Sequence, residues 1–210
     1  MILIPDLTGA TNKTKVSKSI LTGLLLLLIS FALSIFLFAT VLDKLLLWQF
    51  EGAFLNAALR ILLTLFIFQI LWGTLKKVLI KPIAWITGLF YCIMLLYVVM
   101  VKVPGRSGIN LNPFAIINDL MTIPFYPISN FLFFVPTGFF LGYVFGWKAP
   151  KFLYLAGFIV SVILEFIQLI FDLGIFDVTD IILNGGGFAV GVWLFALLCR
   201  NPKVREFFLT

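Results

Sequence analysis

Residues 151–171 read KFLYLAGFIVSVILEFIQLIF, an apolar run of the length that crosses a bilayer as a single helix. Glu165 and Gln168 interrupt this run, and their spacing of three places them on one helical face. A carboxylate near the bilayer centre costs about 2.5–3.5 kcal/mol on insertion scales, so it is rare without a partner or a function. The stretch therefore predicts both a membrane helix and an intramembrane polar site.

The composition of the whole chain is that of a membrane protein. Of its 210 residues, 62% are hydrophobic and 11% are charged, whereas soluble domains carry about 25% charged residues. The chain contains no histidine, which excludes an imidazole base, a Ser-His or Cys-His pair and a His-ligated zinc. We recognise no cofactor or metal motif and predict neither a cofactor nor a metal.

Six segments are long and apolar enough to span a membrane. They lie at about 19–42, 54–75, 82–101, 131–147, 151–171 and 181–199. The predicted fold is therefore an all-α polytopic membrane helix bundle with about six transmembrane helices. We divide the chain into an N-terminal segment (1–18), two additional helices (19–79), a four-helix core (80–199) and a C-terminal tail (200–210).

The basic residues indicate how the helices are oriented. Most of the 15 lie at the two ends of the chain and in alternate loops, on one side of a six-helix weave. These are Lys13, Lys15, Lys18, Lys76, Lys77, Lys81, Lys148, Lys151, Arg200, Lys203 and Arg205. Both termini are therefore predicted to be cytoplasmic. The net charge of +6 is explained by the placement of basic residues that sets the topology and by attraction to anionic lipid. No nucleic-acid partner is therefore predicted.

The segment from Lys102 to Asn130, between the third and fourth spans, is irregular. Its four prolines forbid one continuous helix, yet the residues between them stay apolar. We predict a partly re-entrant or interfacial segment with a short helix near 114–121. Arg106 would suit external carboxylates or a lipid phosphate, because a guanidinium binds either group bidentately. The alternative is a plain interface arginine.

The predicted orientation places the unusual polar residues in the outer half of the membrane. Asp177, Asp180 and Asn184 open the sixth span at spacings that align them on one face, and Arg60 enters from the same side. An alternative is that Asp177 and Asp180 only cap and charge a helix N-terminus, where carboxylates favour the helix dipole.

Several short motifs follow one another along the second half of the chain. They are Arg106, Asn110-Leu111-x-Pro113-Phe114, Asn130 with Pro136-x-Gly138, Glu165-x-x-Gln168 and Asp177-x-x-Asp180-x-x-x-Asn184-x-x-Gly187. In this order and spacing the chain resembles the VanZ-like family over about residues 80–198. That family is named for an accessory membrane protein of glycopeptide-resistance clusters, associated with reduced susceptibility to teicoplanin, and its biochemical activity is not established.

The resemblance implies a bacterial plasma-membrane protein in which the motif residues form the site. The function we favour is binding or handling of an envelope lipid head group, a lipid-linked cell-wall intermediate or a lipoglycopeptide. The predicted extracytoplasmic pocket comprises Arg106, Asn110, Asn130, Glu165, Gln168, Asp177, Asp180 and Asn184.

Two other interpretations use the same residues. In the first, the protein is a membrane-embedded enzyme acting on a lipid-linked substrate. Glu165, Asp177 and Asp180 would then divide acid and base roles or hold Mg²⁺. In the second, Glu165 pairs with Arg60 or Arg106 and only fixes the bundle.

Glycines at four-residue spacing form two stripes in the last spans. Gly138, Gly142 and Gly146 form the first, and Gly187 and Gly191 form the second. Such stripes let helices approach closely, which favours packing inside the chain. The first stripe also suits a homo-oligomer contact.

Overall fold

A computed structural model describes residues 8–42, 53–100 and 108–209. Within these ranges the chain forms eight α-helices, one π-helical turn at Phe38–Leu42, and two short strands. The helices are α1 (Thr8–Leu37), α2 (Ala53–Lys76), α3 (Lys81–Met100), α4 (Ala115–Thr122), α5 (Phe125–Phe145), α6 (Phe152–Ile170), α7 (Val178–Leu198) and α8 (Pro202–Leu209). The strands are β1 (Ile109–Asn110) and β2 (Phe176–Asp177).

Six of these helices, α1 to α3 and α5 to α7, are long and apolar enough to cross a membrane. This confirms the predicted all-α bundle with about six spans. The predicted start of the fourth span at residue 131 was wrong, because α5 already begins at Phe125. Pro124 and Pro127 lie at its N-cap and in its first turn, where no intrahelical bond needs the missing N–H.

The described residues form two compact units, one ending at Thr87 and the other beginning at Gly88. In the first unit α1 packs against α2, and the hydroxyls of Ser34 and Thr64 share a hydrogen bond of 2.8 Å. The guanidinium carbon of Arg60 lies 4.6 Å from the ring centroid of Phe38 in the same unit. The second unit contains the irregular segment and the last five helices.

Helices α5 and α7 form the central pair of the second unit, and glycines bring their backbones together. A Cβ atom on Gly138 would overlap the carbonyl oxygen of Phe188 on the opposite helix. In the reverse direction, a Cβ atom on Gly187 would overlap the carbonyl oxygen of Phe131. The glycine stripes are thus used for packing inside the chain, as predicted.

Not every glycine of the first stripe contacts α7. Gly142 faces the side chain of Phe195, whereas Gly146 ends α5 with a φ of 84°, which favours glycine. The homo-oligomer contact through Gly138, Gly142 and Gly146 stays a prediction.

Helices α3 and α6 complete the core of this unit. The Tyr91 hydroxyl of α3 donates a hydrogen bond of 2.8 Å to the carbonyl of Phe133 in α5. Helix α6 packs on α7. The buried apolar cluster comprises Leu95, Phe134, Leu153, Leu164, Phe188 and Val192. Four helices are therefore held in a fixed register, which positions the polar residues at the end where α5 and α7 begin.

We expect Gly187→Ala to lower the melting temperature of the purified protein in detergent. The new methyl group would overlap the backbone oxygen of Phe131, which cannot move without separating α5 from α7. Overpacking costs about 1–3 kcal/mol, more than the roughly 1 kcal/mol that alanine gains over glycine in a helix.

Gly186→Ala is the matched control, because a Cβ atom there lies 3.6 Å from the Phe131 ring, an ordinary contact. This variant should melt at or above the temperature of the wild type. Equal melting temperatures for the two variants would contradict the close-approach interpretation.

Candidate functional site

The candidate site lies at the end of the second unit where α5 and α7 begin and α6 ends. Polar side chains from these helices and from β1 meet there, among apolar surroundings. Helix α7 supplies two of its carboxylates, Asp177 at the N-cap and Asp180 in the first turn.

Asp180 joins α7 to α5. It lies in the first turn of α7 and is only 1% exposed. One carboxylate oxygen accepts a hydrogen bond of 3.0 Å from the Tyr126 hydroxyl, and the other accepts one of 2.6 Å from the Asn130 amide. Asp180 therefore does more than charge a helix N-terminus, since it bonds across the helix pair.

Asp177 is the N-cap of α7, as one of the two interpretations predicted. Its Oδ1 atom accepts from both the backbone N–H and the hydroxyl of Thr179, each at 2.8 Å. Its Oδ2 atom accepts a hydrogen bond of 3.0 Å from the Asn110 amide. The same carboxylate thus caps the helix and binds the irregular segment.

A minimal parallel sheet strengthens this attachment. Strands β1 and β2 pair with Asn110 opposite Asp177, and the Phe176 N–H donates to the carbonyl of Gly108 at 3.0 Å. The irregular segment is therefore held against the start of α7 by backbone and side-chain bonds together.

Glu165 lies behind the N-cap of α7. It is 1% exposed, and its Oε2 atom accepts a hydrogen bond of 3.0 Å from the backbone N–H of Asp177. The Glu165 carboxylate on α6 thus binds the backbone of Asp177, and the Asp177 carboxylate in turn caps α7. A path of hydrogen bonds runs from Glu165 through Asp177 to Asn110.

Two buried amides, Gln168 and Asn184, adjoin these carboxylates on α6 and α7. The Gln168 amide donates 2.7 Å to the carbonyl of Val99 in α3, and the Asn184 amide donates 3.1 Å to the Ser161 hydroxyl. The side-chain oxygens of Gln168 and Asn184 are buried and accept no hydrogen bond from any described residue. An acceptor left without a donor in this way costs about 1–3 kcal/mol and calls for an explanation.

The stretches of sequence that form this end contain acidic residues but no basic ones. Glu165, Asp177 and Asp180 are acidic, whereas residues 108–147 and 152–199 contain no lysine or arginine. Arg106 lies outside the described residues, so its predicted pairing stays a prediction.

Two carboxylates of the metal-assisted alternative already have hydrogen-bond partners within the chain. In residues 8–42, 53–100 and 108–209, no three His, Cys, Asp or Glu side chains are grouped as a metal site requires. Asp177 and Asp180 each accept hydrogen bonds on both oxygens from other groups of the chain. Such carboxylates are committed to holding the local structure.

The structure brings most of the predicted residues together and adds three. Asp177 is hydrogen-bonded to both Asn110 and Glu165, and Asn130 binds Asp180. Gln168 lies on α6 with Glu165, and Asn184 lies on α7 with Asp180. Sequence reasoning missed Tyr126, Ser161 and Thr179. The sequence does contain a signal for two of them. Ser161 lies four residues before Glu165 and therefore shares its helical face. Thr179 lies two residues after the cap residue Asp177, and threonine is common in such turns. Only the tertiary contact identifies Tyr126.

Helix α4 lies in the predicted irregular segment, and its position agrees with the predicted short helix. None of its residues is buried. Ile117, Leu120 and Met121 share one face and are exposed, with Met121 at 83%. A short helix with an open apolar face is typical of a segment lying in a membrane interface.

Comparison with known proteins gives one match. A family model described as VanZ/LLP1 matches residues 85–199, which is more than half of the 210-residue chain. All of the site residues named above from β1, α5, α6 and α7 lie inside the matched range, whereas α1, α2 and α8 lie outside it. Neither a curated protein nor a solved structure matches the chain.

We expect Asp180→Asn to destabilise the second unit by about 1–3 kcal/mol, because the new amide group would face a donor on Asn130 or Tyr126 and leave it unpaired. The measurement is thermal unfolding in detergent. Asp172→Asn makes the same chemical change at an exposed residue with a φ of 53°, a conformation that asparagine tolerates. If both variants melted at the wild-type temperature, the Asp180 contacts would not be holding α5 to α7.

Proposed function

This chain belongs to the VanZ/LLP1 family, and from this premise we propose that its polar site recognises the head group of an envelope lipid or lipoglycopeptide. Recognition would take place on the extracytoplasmic side of a bacterial plasma membrane. It would contribute to reduced susceptibility to teicoplanin-type glycopeptides, the context implied by the family.

The distribution of basic residues supports the extracytoplasmic side. Lys148 and Lys151 lie between α5 and α6, and Arg200 and Lys203 follow α7. These positions are at the end of the second unit opposite to the polar site. Since cytoplasmic loops carry the excess of lysine and arginine, the polar site would face outward and both termini inward.

The buried amides carry the proposal. Gln168 and Asn184 each present a side-chain oxygen that accepts no hydrogen bond from the described residues, close along their helices to the carboxylates of Glu165 and Asp180. An acceptor-rich site of this kind suits ligands with many donors. Sugar hydroxyls and amino groups, as in a glycolipid or a glycopeptide, have this chemistry.

The irregular segment supports a ligand with an acyl chain. Helix α4 exposes an apolar face, and β1 is hydrogen-bonded to the start of α7 beside the polar site. A lipid tail would lie against that face while the head group approached Asn110 and Asn130. The proposed role of Arg106 is to meet a phosphate, since a guanidinium binds it bidentately.

The binding test uses purified protein in a mild detergent, with teicoplanin as the probe. We expect Gln168→Met to weaken binding about three- to tenfold, the worth of one hydrogen bond at about 0.5–1.5 kcal/mol. The methionine side chain keeps the length of glutamine and removes the amide.

Gln69→Met is the matched control. Gln69 is also buried, its amide donates 2.8 Å to the carbonyl of Ile80, and its side-chain oxygen accepts no hydrogen bond from the described residues. Because it belongs to the first unit, its replacement should reproduce any loss of stability without a loss of affinity. Equal affinity losses in the two variants, or no binding by the wild type, would contradict the proposed site.

A cellular test addresses Glu165. In a sensitive Gram-positive host with matched membrane levels, the wild type and Asp172→Asn should protect against teicoplanin, and Glu165→Gln should protect less. Glutamine can still accept the hydrogen bond from Asp177 N–H, so folding should persist. Equal protection by the wild type, Asp172→Asn and Glu165→Gln would contradict a functional role for Glu165 and would leave it with a structural role only. A chemically altered probe, detected by mass spectrometry, would favour the enzyme alternative over binding.

A further inference from the structure

The end of the second unit opposite to the polar site has its own tertiary organisation. Helix α8 packs against the bundle through the ring of Phe208. The Phe208 ring centroid lies 6.0 Å from that of Phe139, 6.3 Å from that of Tyr143 and 5.4 Å from that of Phe195. This aromatic cluster fixes α8 against α5 and α7. The basic residues of α8 are therefore held at a defined place.

Two basic side chains from different segments meet on one indole ring. The Lys148 ammonium lies 4.9 Å from the ring centroid of Trp147, and the Arg205 guanidinium carbon lies 5.0 Å from the same centroid. Each contact is a favourable cation–π interaction. Lys151, Arg200 and Lys203 add exposed positive charge from neighbouring positions along the chain.

Exposed aromatic rings flank these charges. Phe145 ends α5 and Phe152 begins α6, and their ring centroids lie 6.4 Å apart in an edge-to-face arrangement. Their side chains are 51% and 61% exposed. The turn between them carries Trp147, Lys148 and Lys151, so apolar and cationic surfaces adjoin.

We propose that this basic–aromatic surface, formed by Phe145, Trp147, Lys148, Lys151, Phe152 and Arg205, binds an anionic phospholipid. The phosphate would be held by the lysines and Arg205, which supply positive charge and hydrogen-bond donors. An acyl chain would lie along Phe145 and Phe152. The adjoining apolar rings are the reason to choose a lipid over free phosphate, since inorganic phosphate has no use for them.

The surface is independent of the site proposed for envelope ligands, because it lies at the other end of α5, α6 and α7 and uses none of the same residues. Failure of one proposal therefore leaves the other unaffected.

The test measures lipid binding to the full chain by native mass spectrometry. Phosphatidylglycerol and phosphatidylcholine are added to the delipidated protein, with inorganic phosphate and glycerol phosphate as competitors. We expect the wild type to prefer phosphatidylglycerol. The double variant Lys148→Gln/Arg205→Gln should reduce the affinity for phosphatidylglycerol about 25-fold, because each basic residue near a lipid surface contributes about fivefold.

Lys76→Gln/Lys77→Gln is the matched control for charge. It also removes two positive charges and a lysine–indole contact, since the Lys76 ammonium lies 5.7 Å from the ring centroid of Trp72. Its affinity for phosphatidylglycerol should fall clearly less than that of Lys148→Gln/Arg205→Gln, because Lys76 and Lys77 belong to the first unit and are not part of the basic–aromatic surface. Equal losses in the two double variants would overturn the proposal in favour of general electrostatic attraction.

Further variants separate lipid from phosphate and guard against misfolding. Phe145→Ala and Phe152→Ala should weaken phosphatidylglycerol binding while leaving the charges in place. Lys151→Gln changes one exposed side chain only, so its fold should persist, and it should lose about fivefold in affinity. No preference for phosphatidylglycerol in the wild type, or full displacement by inorganic phosphate, would overturn the proposal.

Discussion

The close approach of α5 to α7 is the constraint on which the polar site depends. The two backbones come together where Gly138, Gly187 and Gly191 lack side chains, so that carbonyl groups of one helix occupy the space of a Cβ atom on the other. At a larger separation, the Asn130 amide could not reach the Asp180 carboxylate at 2.6 Å. Van der Waals packing between helices, which drives association in lipid, thus sets the geometry of the hydrogen bonds.

Those hydrogen bonds in turn organise the irregular segment. Asp177 caps α7 and binds Asn110, and Glu165 holds the backbone of Asp177 from α6. A bundle immersed in lipid must satisfy its polar groups internally, because hydrocarbon offers no donors. The carboxylates of Asp177 and Asp180 are thus built into the local structure.

The two ends of the second unit have opposite chemistry. One end combines carboxylates and amide oxygens with an exposed apolar helix, and the other combines lysines and arginines with aromatic rings. The two binding proposals use this difference: a ligand rich in hydrogen-bond donors is proposed for the first end, and an anionic phospholipid for the second.

The sequence by itself determined the class of the protein and the identity of most of the polar site. Runs of apolar residues predict six spans, because only a helix of about 20 residues satisfies its backbone across a bilayer. Glu165, Asp177 and Asp180 are conspicuous because charge is expensive there. The short helix α4 follows from an apolar run placed between proline turns.

Only the tertiary structure decided which groups are bonded to which. Asn110 and Asp177 are 67 residues apart, and Tyr126 and Asp180 are 54 apart, so no local pattern predicts either pair. The docking of Phe208 against Phe195 has the same cause. Hydropathy gives the free-energy cost of placing a residue in lipid. The hydrogen-bond partner of that residue depends instead on how helices that are distant in the sequence pack together.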